Sequence, residues 1–339
     1  MRKMAPYARR KPVEMIKEEF LMKKLISLAL VVCMALACVV CASAEEKTYT
    51  VGICQLVQHA ALDAATQGFK DALTEALGDK VKFDEQNASG DSATCSTIVT
   101  GFVANEYDLI MANATPALQA AVSATSTIPV LGTSVTDYGT ALDMDLDVNA
   151  GTGINVCGTS DGVSAQLYAD MVMELVPEAK NVSIVYCSAE ANSVLQADQF
   201  IACMPEGVKC NVYTFADSND MQTVITAAIA ECDAIYIPTD NTAASNMTIV
   251  ANVCEPAGIP VITGEENMMA AGGMATVSIS YYDIGYLCGQ QAVDILVNGA
   301  DISTMPIGYS TNPVKEYNAD YAAAIGFEMP EGYAAYSAE

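Results

Sequence analysis

Thr115, Asn192, Ser193, Asp240 and Asn241 carry hydroxyl, amide and carboxylate groups, and each falls in a short polar turn between an apolar run and a helical pattern. The first run, Tyr107-Asp108-Leu109-Ile110-Met111, leads into Asn113-Ala114-Thr115-Pro116. The second, Val182-Ser183-Ile184-Val185-Tyr186, leads into Glu190-Ala191-Asn192-Ser193. The third, Ala234-Ile235-Tyr236-Ile237-Pro238, leads into Thr239-Asp240-Asn241-Thr242. Open α/β sheets take their ligands at the carboxyl ends of the strands. A helix that starts there offers unpaired N–H groups and a partial positive charge, which suits an anion such as a carboxylate. Thr115, Asn192 and Ser193 are therefore candidate carboxylate donors. Asp240, assisted by Asn241 and in the same turn as Thr239, is the candidate partner of an ammonium, since an ion pair strengthens in a dry cleft. Glu190 and Glu265 are further candidate acceptors. Gln55, at the end of the first strand, and His59, the sole histidine, are expected to border the same cleft. Each of these residues also fits an ordinary helix cap, so both roles stay open. Tyr138, Tyr281 and Tyr282 suit either stacking on an aromatic ligand or plain packing.

Other chemistries find less support. His59 has no nucleophile or orienting acid at triad spacing. Twelve cysteines occur, of which Cys33, Cys38 and Cys41 fall in the first 44 residues. The remaining nine contain no C-x-x-C and sit mostly in apolar segments, so no metal or other cofactor is expected. Cys203 and Cys210 flank a turn and are the near pair expected to be testable for a disulfide.

The amino end reads as a leader. Met22-Lys23-Lys24 opens a basic region, Leu25 to Val40 is almost wholly apolar, and Ala42-Ser43-Ala44 has the small residues of a signal-peptidase site. Cleavage is expected after Ala44, with an uncleaved anchor or a lipid anchor at Cys38 as alternatives. Lys17-Glu18-Glu19-Phe20 reads as a translated purine-rich ribosome-binding site, which puts the start of translation at Met22. Eight of the 15 Lys/Arg and three of the 41 Asp/Glu lie in residues 1–44, leaving 7 against 38 and a net charge of −31. Such a surface repels phosphate backbones, so nucleic acid is not an expected partner.

The elements that must position the turns alternate. Strands are expected at Tyr49–Cys54, Val81–Asn87, Tyr107–Ala112 and Ile128–Leu131, with helices at Ala60–Leu77, Asp91–Ala104 and from Pro116. Gly132 to Gly158 breaks the rhythm and shows no helical period. A second series follows, with helices Gly162–Leu175, Asn192–Cys203, Asp220–Ala230, Ala243–Ala257 and Ile284–Val297. Its strands are Val182–Tyr186, Val208–Phe215, Ala234–Pro238, Pro260–Thr263 and Ala275–Ser280. A tail carries Ile307–Ser310 and a short helix near Tyr317–Ile325. Repeated βα units imply parallel sheets covered by helices. The fold class is α/β, with two doubly wound parallel-sheet lobes and a cleft between them.

The chain also resembles a known family. Val51-Gly52-Ile53-Cys54-Gln55, His59-Ala60-Ala61-Leu62-Asp63 and Gly68-Phe69 resemble the opening of ABC-importer substrate-binding proteins of the type I periplasmic-binding fold, within the branch that binds aromatic amino acids, tryptophan especially. Ala114-Thr115-Pro116-Ala117, Val135-Thr136-Asp137, Glu190-Ala191-Asn192-Ser193 and Tyr236-Ile237-Pro238-Thr239-Asp240-Asn241 continue the match. So do Ile259-Pro260-Val261 with Gly264-Glu265, and Gly272-Gly273-Met274-Ala275-Thr276. Ala60 departs from the family, which commonly has Pro after His, and the chain has no tryptophan. The resemblance implies a three-strand hinge joining residues 45–155 with 276–307 as one lobe and 156–275 with 308–339 as the other. Its crossovers would lie near Val148–Gly158, Gly273–Ser280 and Pro306–Thr311. It further implies an exported, non-enzymatic, monomeric protein that binds an amino acid, with aromatic side chain, and hands it to a membrane permease. A sugar or purine ligand, a ligand-sensing receptor subunit, and an exported carboxylate enzyme are the alternatives.

Overall fold

Val51 to Gln55 are buried on both faces, as an apolar strand flanked by parallel neighbours should be. Numbered along the chain, the first sheet holds β1 (Tyr49–Gln55), β2 (Val81–Asn87), β3 (Leu109–Asn113), β4 (Val130–Thr133), β5 (Val156–Ser160) and β11 (Gly308–Tyr309). Their order is β11-β5-β4-β3-β1-β2, and every pairing is parallel. The second sheet holds β6 (Asn181–Cys187), β7 (Lys209–Phe215), β8 (Ala234–Ile237), β9 (Val261–Thr263), β10 (Ala275–Ser278), β12 (Val314–Tyr317) and β13 (Ala334–Ala335). Its order is β13-β12-β10-β9-β8-β6-β7, with β12 antiparallel to β10. This computed structural model describes Met22, residues 47–310 and residues 312–337. The expected leader, its cleavage site and Cys38 lie outside the described residues.

The helices are α1 (Ala60–Leu77), α2 (Ser92–Ala104), α3 (Thr115–Ala124), α4 (Tyr138–Leu142), α5 (Ala165–Leu175), α6 (Ala191–Cys203), α7 (Ser218–Ala228), α8 (Asn241–Ala244), α9 (Met247–Cys254), α10 (Glu266–Gly272), α11 (Tyr281–Leu296) and α12 (Ala319–Ala324). Each sheet has its own core. Ile53, Phe69, Phe102, Ile110 and Leu131 fill the first. Ile184, Phe200, Phe215, Tyr236 and Ile262 fill the second, where the Phe200 and Tyr236 rings stack at 4.2 Å.

The chain passes between the sheets three times: after Ser160, after Ser278, and between Tyr309 and Val314. The boundaries expected from sequence fall a few residues earlier, because β5, β10 and β11 run on past them before the chain leaves each sheet. The Gly132–Gly158 stretch also holds more structure than its composition suggested. Asp137 accepts the Thr140 N–H at 2.7 Å and starts α4, a helix too short to show a period. The expected helix Ala243–Ala257 is broken at Ser245-Asn246 into α8 and α9, where the Asn246 side chain donates to the Thr242 carbonyl at 2.8 Å. Strand β12 replaces the start of the expected tail helix, and Asn318 caps α12 behind it.

Helices α1 and α11 meet through small residues. A Cβ on Gly285 would lie 2.0 Å from the Ala65 carbonyl oxygen, and one on Gly68 2.2 Å from that of Tyr282. Backbone on the far side cannot yield as a side chain would. Gly285→Ala should therefore lower stability by about 1–3 kcal/mol through overpacking, read as a lower urea midpoint with an unchanged slope.

The nine cysteines of residues 47–337 are all free thiols. Cys203 and Cys210, the pair picked out by proximity in sequence, are not joined. Cys54 on β1 instead meets Cys95 on α2, and the Cys95 sulfur together with burial pushes the Cys54 thiol far above its usual range. Local spacing gives no hint of that long-range pair.

Candidate ligand site

The carboxyl ends of the two sheets face one another across a narrow cavity. His59 and Leu62 from the start of α1, with Ser134 and Thr136 from the turn after β4, border it on one side. Asn192, Thr239, Asp240, Asn241, Ala244, Glu265 and Met268 border it on the other. Asp161 and Tyr281, each just beyond a crossing between the sheets, complete the wall. In this arrangement the enclosed space is small, about 10 Å³, roughly the room of one water.

Three hydrogen bonds span the cleft. His59 Nε2 lies 3.3 Å from Asn241 Oδ1. Thr136 Oγ1 lies 3.4 Å from Thr239 Oγ1 and accepts from Gln196 Nε2 at 3.0 Å. Gln196 also holds the Thr239 backbone N–H at 3.0 Å and donates to its hydroxyl.

The carboxylates of the acids named from sequence are taken up by donors of the turns themselves. Glu190 receives the Asn241 N–H and side-chain amide at 3.0 and 2.7 Å on one oxygen. Its other oxygen receives the Thr242 N–H and hydroxyl, each at 2.9 Å. Asp240 receives the Ala243 N–H at 2.8 Å, the Cys187 N–H at 2.7 Å and the Ser193 hydroxyl at 2.8 Å. Burial and the neighbouring Glu190 push its carboxyl above the usual range. Glu265 caps α10 through the Asn267 and Met268 N–H groups at 2.7 and 2.6 Å, and burial pushes it up to about 7. All three behave as caps and braces at the turns.

The other named residues divide. The Gln55 amide is taken up by Asp63, Thr66 and the Val57 carbonyl, behind the cavity wall. Ser193 spends its hydroxyl on Asp240. The Thr115 hydroxyl is buried without a partner, yet it does not border the cavity. Ala114 before it holds φ 89°, ψ 157°, a region other residues leave to glycine, so the turn that sets up α3 is strained. Tyr138 is buried and donates to the Gly132 carbonyl at 2.9 Å, while Tyr282 is partly exposed and donates to Asp71. Of the three tyrosines, Tyr281 alone borders the cavity.

Four buried polar atoms without a hydrogen-bond partner belong to residues of this one wall: His59 Nδ1, Ser134 Oγ, Asp161 Oδ1 and Asn192 Oδ1. Buried polar groups are almost always paired, so such a convergence marks a place where a polar ligand completes the network. Asn192 Nδ2 donates to the Thr239 carbonyl at 3.0 Å, which fixes the amide and turns its oxygen to the unpaired side. Its free group is thus an acceptor, the reverse of the donor role expected. Asp161 is held through its other oxygen by the Tyr281 hydroxyl at 2.7 Å, and burial raises its carboxyl above the usual range. Among the described residues no lysine borders the cavity, and the sequence has no arginine after Arg10.

Ser134, Thr136, Asp161 and Gln196 were not singled out from sequence. Thr136 sat in a matched motif. Asp161 repeats the pattern of strand running into polar turn, but Gly158-Thr159-Ser160 disguised the strand before it. Gln196 lies within a helix, where only the third dimension brings it to Thr136. Among the described residues no group of three His, Cys, Asp or Glu is placed to hold a metal, and no helix is long and apolar enough to cross a membrane.

Comparison with known proteins fits this geometry. Residues 50–339 match the family model for ABC transporter substrate binding protein. A tyrosine-binding protein of Clostridioides difficile (strain R20291) is 36% identical over 272 residues, covering 78% of this chain and 76% of the relative. The solved structure of an ABC domain in complex with L-Trp from Streptococcus pneumonia is 31% identical, with TM-score 0.80, over 84% of this chain and 97% of that one. The ligand-free, open structure of a substrate binding protein with adhesive properties from Clostridium difficile is 35% identical, with TM-score 0.64, over 86% and 100%. The two parallel-rich sheets match those of type I periplasmic-binding proteins, and the chain belongs to the ABC transporter substrate-binding proteins.

Proposed function

We propose that this protein captures a free aromatic amino acid outside the cytoplasm and delivers it to a membrane permease. The observation that carries the reading is the set of unpartnered polar atoms on the cavity wall, three of them acceptors. An amino acid brings what they lack. Its ammonium would pair with Asp161 Oδ1, the unpartnered carboxylate oxygen of the wall, with Asn192 Oδ1 assisting. Its carboxylate would be received by neutral donors such as Ser134 Oγ. Leu62, Ala244, Met268 and Tyr281 would enclose an apolar ring. The tyrosine-binding relative and the L-Trp complex support the aromatic class.

In this reading the lobes are residues 48–160 with 281–309, and residues 165–278 with 314–337, hinged where the chain crosses between the sheets. Ligand contacts on both lobes favour the closed arrangement by their differential affinity for it. Overlap is better with the L-Trp complex than with the open relative, although the open one is more similar in sequence, and this supports a closed arrangement here. Micromolar capture asks for about −8 kcal/mol, within reach of one buried ion pair plus burial of one aromatic side chain.

Mass spectrometry of ligand released from protein purified without denaturation should return an aromatic amino acid. In thermal unfolding, L-tyrosine, L-tryptophan or L-phenylalanine should raise Tm, while glucose, myo-inositol and adenine should not. Stabilisation by a sugar or purine alone would sink the amino-acid reading. Turnover of any of these compounds would point to an enzyme.

A further inference from the structure

Gln196 stands within α6 and does not border the cavity, yet its whole amide is spent at the cleft. Its Oε1 accepts the Thr239 backbone N–H at 3.0 Å, which settles how the amide is turned. Nε2 then has two protons for two hydroxyls. One goes to Thr239 Oγ1, and the other reaches across the cleft to Thr136 Oγ1 at 3.0 Å. The side chain is buried, so these bonds compete little with water.

Both ends of this bridge lead to unpartnered atoms of the cavity wall. On the Gln196 side, the Thr239 carbonyl holds Asn192 Nδ2 at 3.0 Å, and Asn192 Oδ1 is one of the unpartnered acceptors. On the far side, the Thr136 carbonyl accepts the Ser160 hydroxyl at 2.9 Å, and the same hydroxyl oxygen receives the Gly162 N–H at 3.0 Å. Asp161, with its unpartnered Oδ1, lies between those two residues. Ser134, two residues before Thr136, carries a third unpartnered atom. One amide thus joins the turns that present Asn192, Asp161 and Ser134. Its bonds to Thr239 stay within the second sheet's turns and survive opening. Its bond to Thr136 exists only while the cleft is shut.

We infer that Gln196 is a positioning residue that couples closure to the ligand: without touching the amino acid, it holds the two acceptor walls in register once the cleft has shut. It therefore sets how long the ligand stays, not which aromatic amino acid is chosen. The inference rests on the amino-acid reading and adds to it a residue that governs release.

A neutral hydrogen bond is worth about 2- to 10-fold in an equilibrium. Thr136→Val removes both hydroxyl contacts that span the cleft at this point, and should weaken binding by about 5- to 100-fold. Thr136→Ser keeps the hydroxyl and should restore most of that loss. Gln196→Met keeps the length without the polar atoms and should weaken binding by about 10- to 100-fold. The double variant should fall well short of the product of the two losses, because both remove the same bond. The chain has no tryptophan, so in stopped-flow mixing the indole emission of L-tryptophan reports the ligand alone. Dissociation should quicken by the whole of the affinity loss, and association should not slow, since the bond forms after entry. Calorimetry should give the same loss for L-tyrosine and L-phenylalanine to within about threefold. Unchanged dissociation in Thr136→Val, losses that multiply in the double variant, or a loss confined to one aromatic amino acid would each overturn the latch while leaving amino-acid capture intact. Failure of all three to bind the natural protein would overturn both. If Gln196→Met does not fold, Thr136→Val against Thr136→Ser still decides.

Discussion

Asp161→Asn is expected to weaken binding of L-tyrosine by about 100- to 1,000-fold while leaving the protein as stable as before, or more so. Among the described residues of the cavity wall, Asp161 carries the one carboxylate oxygen without a hydrogen-bond partner. Truncating one member of a buried ion pair costs about 2–5 kcal/mol of binding, and each 1.4 kcal/mol is tenfold. Stability goes the other way because burial raises this carboxyl. A carboxyl raised on folding stabilises the folded state below its unfolded pKa. That contribution is lost as pH rises through the folded value. The ligand's ammonium needs the ionised form, so affinity should be present above the raised pKa and fall as pH drops through it. Asparagine removes the titration, and both the stability slope and the acid loss of affinity should flatten. Calorimetry across pH 4–8, with thermal unfolding over the same range, reads both effects. Undiminished affinity in Asp161→Asn would move the ammonium elsewhere.

Asp240→Ala should unfold far more easily, by about 3–5 kcal/mol, because it strips three buried donors at once. The Cys187 N–H, the Ser193 hydroxyl and the Ala243 N–H all converge on this wholly buried carboxylate. Each donor left unsatisfied costs about 1–3 kcal/mol, with some relief from entering water. An exposed cap would cost about 1 kcal/mol. Asp240→Asn keeps one acceptor oxygen and should lose less. Urea unfolding separates the possibilities. A natural midpoint in Asp240→Ala combined with lost ligand binding would instead make Asp240 the ammonium partner.

The two mutations mark where reading the sequence succeeded and where it stopped. Strand-to-helix turns are local, so the turns at Thr115, Glu190 and Asp240 were legible from apolar runs and cap residues. Which way a cap's carboxylate points is not local. Asp240 looks outward on paper, yet Cys187 and Ser193, far off in sequence, claim it. Asp161 was hidden for the opposite reason: β5 is built of Val-Cys-Gly-Thr-Ser, and Gly158 at φ 136° serves close approach to the Gly132 backbone, not propensity. The parallel order of both sheets followed from the βα rhythm. The antiparallel β12 did not, because a four-residue edge strand directly before a capped helix carries too short a pattern.

The closing bonds of the cleft, His59 to Asn241 and Thr136 to Thr239 and Gln196, join neutral groups. A neutral hydrogen bond is worth about 0.5–1.5 kcal/mol net. A clasp of three such bonds shifts an open–closed equilibrium by about ten- to two-thousand-fold, short of the roughly 10⁴-fold needed to move a population from one extreme to the other. Its grip is also insensitive to salt, which screens charges and barely touches neutral pairs. In the proposed cycle, a transporter that spreads the lobes would oppose this neutral clasp plus the ligand's own contacts, and once the cargo has left the clasp alone would remain to hold the cleft shut.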